Sequence, residues 1–359
     1  MYLKNNGPKR GWEVIVTYKD FYGKKKQSHK RGFKTKREAE QWGNTFLEKR
    51  KNSLDVTFAV FWEIYRSDMK QRLRENTMRS KDYVVELKIL PFFGGKKVLD
   101  ITVADIRKWQ TEMMKQKYSQ TYLKTIQNQL SAIFNYAEQY YDLPSNPVKK
   151  AGSMGKGKAD EMQFWSQQEF ECFLESIKDK EVSYYAFLTL FWTGIRIGEL
   201  LALELGDVDA ENKTLNINKS YQRIKGRDVI TEPKTKKGIR KIPLPDFLVD
   251  ELNTYIGKLY GILPEDRLFH ITKSYLEHEM LRGVQLSGVK KIRLHDLRHS
   301  HASLLISKLG ASPQLVANRL GHQQIVTTLQ TYSHLYPEQS RELADQLNEL
   351  IAYDEGEEN

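Results

Sequence analysis

The first fifty residues alternate hydrophobic and polar side chains, as strands with one buried face do. The hydrophobic positions of the clearest strand lie two residues apart: Trp12, Val14, Val16 and Tyr18. Residues 20–24 contain turn-forming Asp and Gly, and residues 27–33 can return as a second strand. Thr35 and Glu38 have the spacing of a capping box, which predicts the start of a helix. We therefore predict a small β-sheet plus one helix for residues 1–52.

Residues 53–148 follow a different pattern, in which hydrophobic side chains recur every three or four positions, as on one face of a helix. The first predicted helix carries an aromatic stripe: Phe58, Phe61, Trp62 and Tyr65. A second helix is predicted from 77 to 90, ending at Pro91, and a third begins at Thr102. Residues 123–137 have the period of a fourth helix. The region is therefore predicted to be a compact helical domain with the aromatic stripe in its core.

The rest of the chain is predicted to combine a linker with a larger domain. Residues 149–160 are rich in Gly and Lys without any period, which predicts an exposed linker. Helical periods dominate residues 161–359, but alternation over 214–221 predicts a strand and residues 229–243 predict a hairpin with a basic tip. We expect a mixed, mainly α-helical domain with a small antiparallel sheet. The fold class predicted for the whole chain is multidomain α+β.

Residues 290–332 contain a group of chemically competent side chains at helical spacing. His295 and Arg298 lie three residues apart, on one face of a predicted helix. His322 follows directly after a glycine that ends a later helix, and Tyr332 comes ten residues after that. Two histidines, an arginine and a phenol indicate a phosphate site with a tyrosine as its candidate nucleophile.

Composition narrows the class of protein. The 359 residues contain one cysteine, Cys172, which excludes a disulfide framework within the chain and an all-cysteine zinc site. We find no hydrophobic run near 18 residues and no signal peptide, so we expect a cytoplasmic protein with no membrane partner.

The charge is concentrated at one end of the chain. The formal net charge is +11, and residues 1–50 contain 14 Lys and Arg against 5 Asp and Glu. A basic segment that is also folded indicates nucleic-acid binding rather than a solubility tail. The candidate DNA-binding side chains lie on its strands and turns: Lys24, Lys25, Lys26, Lys30 and Arg31.

The catalytic pattern extends upstream, where it resembles a known family. Arg196 lies in TGIRIGELLAL, three residues before Glu199, which is well placed to orient its guanidinium. Together with PKTKKGIRKIPL, LHDLRHSHAS, LGH and the terminal TY, this segment resembles the tyrosine recombinases, the family of phage and conjugative-transposon integrases. The resemblance covers residues 160–350 and keeps the order of the family's motifs.

The resemblance implies roles for these residues. Arg196 and Arg298 would bind the non-bridging oxygens of the scissile phosphate, and His322 would add a hydrogen bond. Charge that develops in the pentavalent transition state would be stabilised by the same groups. No metal or other cofactor is implied.

Nucleophile and proton donors follow from the same resemblance. Tyr332 would attack phosphorus to give a 3′-phosphotyrosine, with His295 as general base or positioning group. Lys234 would protonate the departing 5′ oxygen, and Lys236 and Lys237 remain alternatives because the length of the hairpin varies in the family.

The resemblance also implies an assembly. Residues 1–52 resemble an arm-binding domain, residues 53–148 resemble a core-binding domain, and residues 337–351 would form a helix exchanged between protomers. The expected partners are double-stranded DNA at core and arm sites, three further copies of the chain in a tetramer, an excisionase and a host DNA-bending protein. The reaction would integrate and excise a mobile element through a Holliday junction, at the nucleoid of a bacterial host.

Three alternatives stay open at this point. His299 and His301 lie near His295, so a zinc site is conceivable, although the H-E-x-x-H spacing is missing. The chain could instead be a DNA-binding protein with an inactive recombinase fold. A type IB topoisomerase uses a very similar site, but the basic N-terminal module disfavours it.

Overall fold

The computed structural model describes residues 1–5, 7, 11–19, 25–51, 54–157, 162–233 and 235–335. The chain divides into two compact units, Met1–Asp160 and Glu161–Asn359. Three predictions fall outside the described residues: the roles of Lys24 and Lys234, and the helix over 337–351. In the described part of the chain, no helix combines the length and the hydropathy that spanning a membrane would need.

The first unit begins with the predicted sheet and helix. Three strands form an antiparallel sheet in chain order: β1 (Tyr2–Asn5), β2 (Trp12–Lys19) and β3 (Lys25–Phe33). Helix α1 (Lys36–Lys51) packs on one face, where Val14 and Val16 are fully buried against Ala39. The alternation of β2 therefore has the predicted outcome, and the sheet gains an edge strand, β1, that the sequence pattern did not reveal.

The second part of the first unit is helical. Its helices are α2 (Phe58–Arg72), α3 (Glu75–Val84), α4 (Leu90–Phe93), α5 (Val103–Lys115), α6 (Gln120–Tyr140) and α7 (Pro147–Ala151). The aromatic stripe of α2 is buried, as predicted, and the Thr102 side chain caps α5 in a complete capping box. The hydrophobic face of α6 lies in the same core.

Pro91 does not end a helix, which corrects the prediction from sequence. Helix α3 passes through a π-helical turn, Val85–Ile89, directly into α4, and Pro91 lies in the first turn of α4. A proline tolerates that position because its missing N–H is not needed there.

The start of the predicted linker is largely exposed, as predicted, but two of its side chains pack on the helical domain. The side chain of Asn146 accepts hydrogen bonds from two backbone N–H groups and so caps α7. Val148, Ala151 and Met154 are buried in the helical core. A five-residue helix is too short to show a period, which is why the Gly- and Lys-rich composition over 149–160 did not predict this packing.

The second unit is mainly helical with small sheets, as predicted. Its helices are α8 (Gln167–Glu175), α9 (Glu181–Thr193), α10 (Ile197–Leu200), α11 (Asp246–Gly257), α12 (Lys273–Ser287), α13 (Asp296–Ser307), α14 (Pro313–Leu320) and α15 (Ile325–Tyr332). Its strands are β4 (Val208–Asp209), β5 (Thr214–Ile217), β6 (Ser220–Ile224), β7 (Arg227–Thr231) and β8 (Arg240–Pro243). Helix α9 is buried along most of its length and packs against α13. The hydrophobic core around α9 therefore supports the segment that carries His295 and Arg298.

Residues 229–243 do not form one hairpin, which corrects another prediction. Strand β7 pairs with β6, whereas β8 pairs with β5 in a sheet of order β4-β5-β8. Lys225 and Gly226 both have positive φ, at 50° and 78°, and close the β6–β7 turn. The basic segment before β8 is therefore a connection between two sheets, and the short 3₁₀ turn Lys236–Gly238 lies within it.

Candidate active site

Arg298 lies at the centre of the candidate site and is buried, with 3% of its surface exposed. Its Nη1 donates to the carbonyl of Gly194 at 2.9 Å, and its Nη2 donates to the carbonyl of Leu320 at 2.7 Å. These carbonyls terminate α9 and α14, where the partial negative charge of a helix end favours a cation. Burial lowers the pKa of Arg298, but both carbonyls accept hydrogen bonds from the charged guanidinium. Arg298 is therefore held rigidly by backbone from two other helices.

Gly194 makes this geometry possible. Its φ of +66° ends α9 in the left-handed conformation, which glycine adopts without strain. A Cβ atom at this position would lie 2.5 Å from the His301 ring and 2.9 Å from a Leu320 methyl group. Only glycine allows α9, α13 and the end of α14 to come this close together.

Arg196 and Glu199 form the predicted ion pair, with 2.8 Å between Nη1 and Oε1. The buried Glu199 carboxylate also binds Arg240, whose two terminal nitrogens lie 3.3 and 2.9 Å from its oxygens. Burial alone would raise the pKa of Glu199, but the hydrogen bond and charge of Arg240, with the charge of Arg196, lower it below its usual value. One ionised carboxylate thus orients two arginines.

Arg240 is anchored further by backbone. Its Nε donates to the carbonyl of Arg319 at 2.9 Å, at the end of α14. Sequence reasoning missed this residue, although a signal was present. Residues two apart in a strand share a face, so the buried Ile242 indicated that Arg240 points inward with it.

His322 is positioned by α15. Its Nδ1 shares a 2.7 Å hydrogen bond with Oγ1 of the buried Thr328. Burial lowers the pKa of His322 to about 4, and the charges of Arg298 and Arg196 contribute. The ring is therefore neutral near pH 7.

Tyr332, the last residue of α15, is buried with 1% of its surface exposed. Its hydroxyl lies 2.7 Å from Nδ1 of His299, a residue that the sequence suggested only for the zinc alternative. Burial raises the pKa of Tyr332 to about 12, partly offset by the charge of Arg298. The phenol is therefore neutral in this conformation.

Three rings form a row that starts at the beginning of α13. The centroids of His295 and His299 are 5.2 Å apart, and those of His299 and Tyr332 are 5.6 Å apart. His295 is the exposed member of the row, at the N-cap of α13. Packing around its ring and the charges of Arg298 and Arg196 lower the pKa of His295. His295 and His299 are four residues apart, a spacing that places two side chains on the same face of a helix. This spacing could have predicted from the sequence that the two rings lie together.

The structure thus brings together most of the residues that the sequence selected. Arg196, His295, Arg298, His322 and Tyr332 are near enough for their charges to shift one another's pKa values. The turn Lys236–Gly238 lies close to Gly321, the residue before His322. If a Cβ atom were added to Gly321, it would lie 3.0 Å from the carbonyl oxygen of Lys237. The Lys237 side chain is exposed, so the basic segment borders the site.

The N-terminal candidates divide between the two faces of the small sheet. Arg31 lies opposite Glu13 on the face away from α1, where the buried Glu13 carboxylate contacts His29 and lies 3.4 Å from Arg31. Lys25 lies at the far end of β3, opposite Lys19. Lys30 instead stacks over Trp42 of α1, with 5.2 Å between its ammonium and the ring centroid. Lys26 is also exposed, opposite Tyr18.

Within the residues that the structure describes, no group of three or more His, Cys, Asp or Glu side chains is placed to hold a metal ion. His301, which the zinc alternative required, instead accepts a hydrogen bond from Arg319 at 3.0 Å through its Nε2.

Comparison with protein families gives three matches along the chain. Residues 163–339 match the model described as "Phage integrase family", and residues 57–114 match "Phage integrase, N-terminal SAM-like domain". Residues 1–49 match "Arm DNA-binding domain". The three matches follow one another in the order of the sheet, the helical region and the second unit.

Individual proteins give similar matches. The ICEBs1 integrase of Bacillus subtilis (strain 168) is 28% identical over 85% of this chain and 86% of its own length. A protein named "Tyrosine recombinase XerC-like" from Caldanaerobacter subterraneus subsp. tengcongensis is 27% identical over 98% of each chain. The solved Tn1549 transposon integrase in complex with circular intermediate DNA has a TM-score of 0.69 at 22% identity, covering 80% of this chain and 99% of that one. That structure shares the fold.

Proposed function

This chain belongs to the phage integrase family, and from that premise we propose how its residues carry out the reaction of a tyrosine-type site-specific DNA recombinase. It is an integrase of the phage and conjugative-transposon type, which cuts and rejoins DNA to integrate and excise a mobile element. The single observation that carries the residue assignment is the arrangement of two arginines, two histidines and a buried tyrosine around the start of α13.

We assign phosphate binding to Arg196 and Arg298. Planar, permanently charged guanidinium groups can bind the two non-bridging oxygens of a phosphodiester. The ties of Arg298 to Gly194 and Leu320 support this role, because a preorganised donor needs no rearrangement when charge develops in the transition state. Glu199 and His322 support the same step, the first by orienting Arg196 and the second as a neutral hydrogen-bonding group.

We assign the nucleophile to Tyr332. Its oxygen attacks phosphorus, the bond to the 5′ oxygen breaks, and a 3′-phosphotyrosine stores the energy of the phosphodiester for rejoining. A lysine of the segment before β8 protonates the leaving oxygen, with Lys234, Lys236 and Lys237 as candidates. The turn Lys236–Gly238 lies beside Gly321, which supports this segment as the source of the proton.

The remaining roles concern assembly and DNA. Residues 1–52 bind arm sites and the helical region binds core sites, while four copies of the chain exchange strands through a Holliday junction. The helix over 337–351 packs on a neighbouring protomer, and an excisionase and a host DNA-bending protein set the direction. The DNA substrates place the reaction at the nucleoid in the bacterial cytoplasm.

The experiment uses a duplex nicked next to the scissile phosphate, with sequences taken from the DNA that flanks the gene. Loss of the short fragment traps the covalent complex, which migrates slowly on denaturing gels. Tyr332→Phe should form no trapped complex and should bind the duplex as tightly as the wild type. The matched control is Tyr255→Phe, which removes another buried hydroxyl, one that donates to the Leu268 carbonyl at 3.0 Å. A trapped complex with Tyr332→Phe would refute the assignment of the nucleophile.

A further inference from the structure

His299 makes a contact that the proposed mechanism does not use. It lies one turn after His295 on α13, and its Nδ1 is 2.7 Å from the hydroxyl oxygen of Tyr332. In the tautomer with its proton on Nε2, Nδ1 has a lone pair that accepts the phenol proton. This distance lies within the range that a general base needs.

We propose that His299 is the general base of DNA cleavage, the group that takes the proton from Tyr332 as its oxygen attacks phosphorus. This inference rests on the proposed function. It assigns to His299 the role of general base, which the family resemblance implied for His295. His295 is exposed and packs against the His299 ring, with 5.2 Å between the ring centroids. His299 is the member of the row that contacts the reacting atom.

The phenol oxygen forms a bond to phosphorus while its proton moves to Nδ1 of His299. The bond between phosphorus and the 5′ oxygen breaks, and that oxygen leaves with the electron pair and takes a proton from the lysine assigned above. In rejoining, the 5′ hydroxyl oxygen forms a bond to phosphorus and its proton returns to the lysine. The bond between phosphorus and the oxygen of Tyr332 breaks, and His299 returns its proton to that oxygen.

Before DNA binds, the proton belongs to the oxygen. Burial raises the pKa of Tyr332 to about 12, whereas burial and the charge of His295 lower the pKa of His299 to about 4. Two changes favour transfer when DNA is bound. A phosphate anion beside the arginines offsets their repulsion of an imidazolium, and an oxygen that is bonding to phosphorus becomes far more acidic. The transfer then accompanies attack and does not precede it.

The charged and titratable groups around His299 come from several elements. On α13 and the loop before it they are Arg293, His295, Asp296 and Arg298, and beyond it they are His322 and Tyr332. Of these, only Asp296 carries negative charge near pH 7, and it is engaged by Arg293 at 2.8 Å. A bound phosphate is therefore the main source of negative charge that can stabilise protonated His299.

His299→Asn tests the proposal, because an amide can keep the hydrogen bond to Tyr332 but cannot take its proton. We expect single-turnover cleavage to fall by about 10²- to 10⁴-fold, the usual contribution of a general base. The rate of the variant should rise tenfold per pH unit, because only the ionised phenol reacts. The matched control is His278→Asn, on the exposed face of α12, which should cleave as the wild type does.

A second substrate separates the base from the acid. Sulfur in place of the bridging 5′ oxygen leaves without a proton, so it rescues the loss of a general acid but not that of a general base. The defect of His299→Asn should persist on this substrate. Rescue by sulfur, or a rate within threefold of the wild type on the normal substrate, would overturn the proposal.

The wild-type protein distinguishes failure of the proposed function from failure of this inference. If the wild type forms no 3′-phosphotyrosine, the proposed function fails; if it does and His299→Asn cleaves equally fast, only this inference fails. Should His299→Asn not fold, the wild type on the sulfur substrate still tests whether a general base acts in cleavage. Its pH profile must then bend at one pKa, that of the base, and a rate that rises tenfold per pH unit throughout would contradict the proposal.

Discussion

The cations of the small N-terminal sheet and those of the active site differ in exposure. Arg31 is 69% exposed, and its contact with Glu13 is 3.4 Å long. Arg298 is 3% exposed and donates to two carbonyls at 2.9 and 2.7 Å. The same side chain is thus placed for long-range attraction in one region and for fixed geometry in the other.

The two regions can therefore do different things with a phosphate. An exposed cation gains from releasing the counterions of DNA, a contribution that depends on salt and tolerates changes of position. A buried cation acts where water is excluded and the effective dielectric constant is low, so its hydrogen bonds to developing charge are strong but demand accurate placement. Binding and catalysis should therefore respond separately to mutation.

Among the variants that test this comparison, Arg298→Lys should have the largest effect. A lysine keeps the charge, but one ammonium group cannot reproduce the fork that spans the carbonyls of Gly194 and Leu320. We expect single-turnover cleavage to fall by about 10²- to 10³-fold, with DNA affinity nearly unchanged. Arg223→Lys, an exposed arginine of the same unit, should stay within twofold of the wild type. If Arg298→Lys cleaves normally, charge alone is sufficient and placement does not matter.

An intermediate effect is expected for Glu199→Gln, which removes the charge that orients Arg196 and Arg240. Cleavage should fall by about 10- to 100-fold, because two arginines lose an ionised partner while the shape is kept. Glu279→Gln is a close control, since Glu279 is also buried and also binds two cations, Lys180 and Arg282.

Both substitutions at glutamate should lower the melting temperature, and only Glu199→Gln should slow cleavage. Equal losses of activity in the two variants would mean that the effect of Glu199 operates through stability rather than through the arginines.

The smallest effect is expected for the double variant Lys25→Ala with Arg31→Ala in the N-terminal sheet. Cleavage of a core site should be unchanged, and the slope of log affinity against log salt for an arm site should become shallower by about 2. Lys36→Ala with Arg37→Ala removes the same charge from the start of α1. An equal change of slope in both double variants would assign the effect to net charge rather than to the open face of the sheet.

Local signals made most of the helices and several residues of the candidate site predictable from sequence. The capping box at Thr102 and the glycine after α14 are short-range features, and both lie where the sequence pattern predicted them. The hairpin over 229–243 was wrong because strand pairing is decided by partners elsewhere, β5 and β6. Period alone cannot identify those partners.

The candidate site was predictable in part for the same reason. His295 and Arg298 share a helix, so their proximity follows from spacing. Arg240 meets Glu199 across 41 positions, and His299 meets Tyr332 across 33, through tertiary packing. Such contacts have no local pattern, and only the folded chain shows them.

The burial of Tyr332 has a consequence for the host chromosome. A recombinase meets roughly 10⁶ to 10⁹ non-specific sites in a genome while it searches for its own. With 1% of Tyr332 exposed, a phosphate at such a site cannot reach the proposed nucleophile. The frequency of accidental strand breaks is then governed by how often the tyrosine becomes exposed, and tight non-specific binding carries little mutagenic risk for the cell.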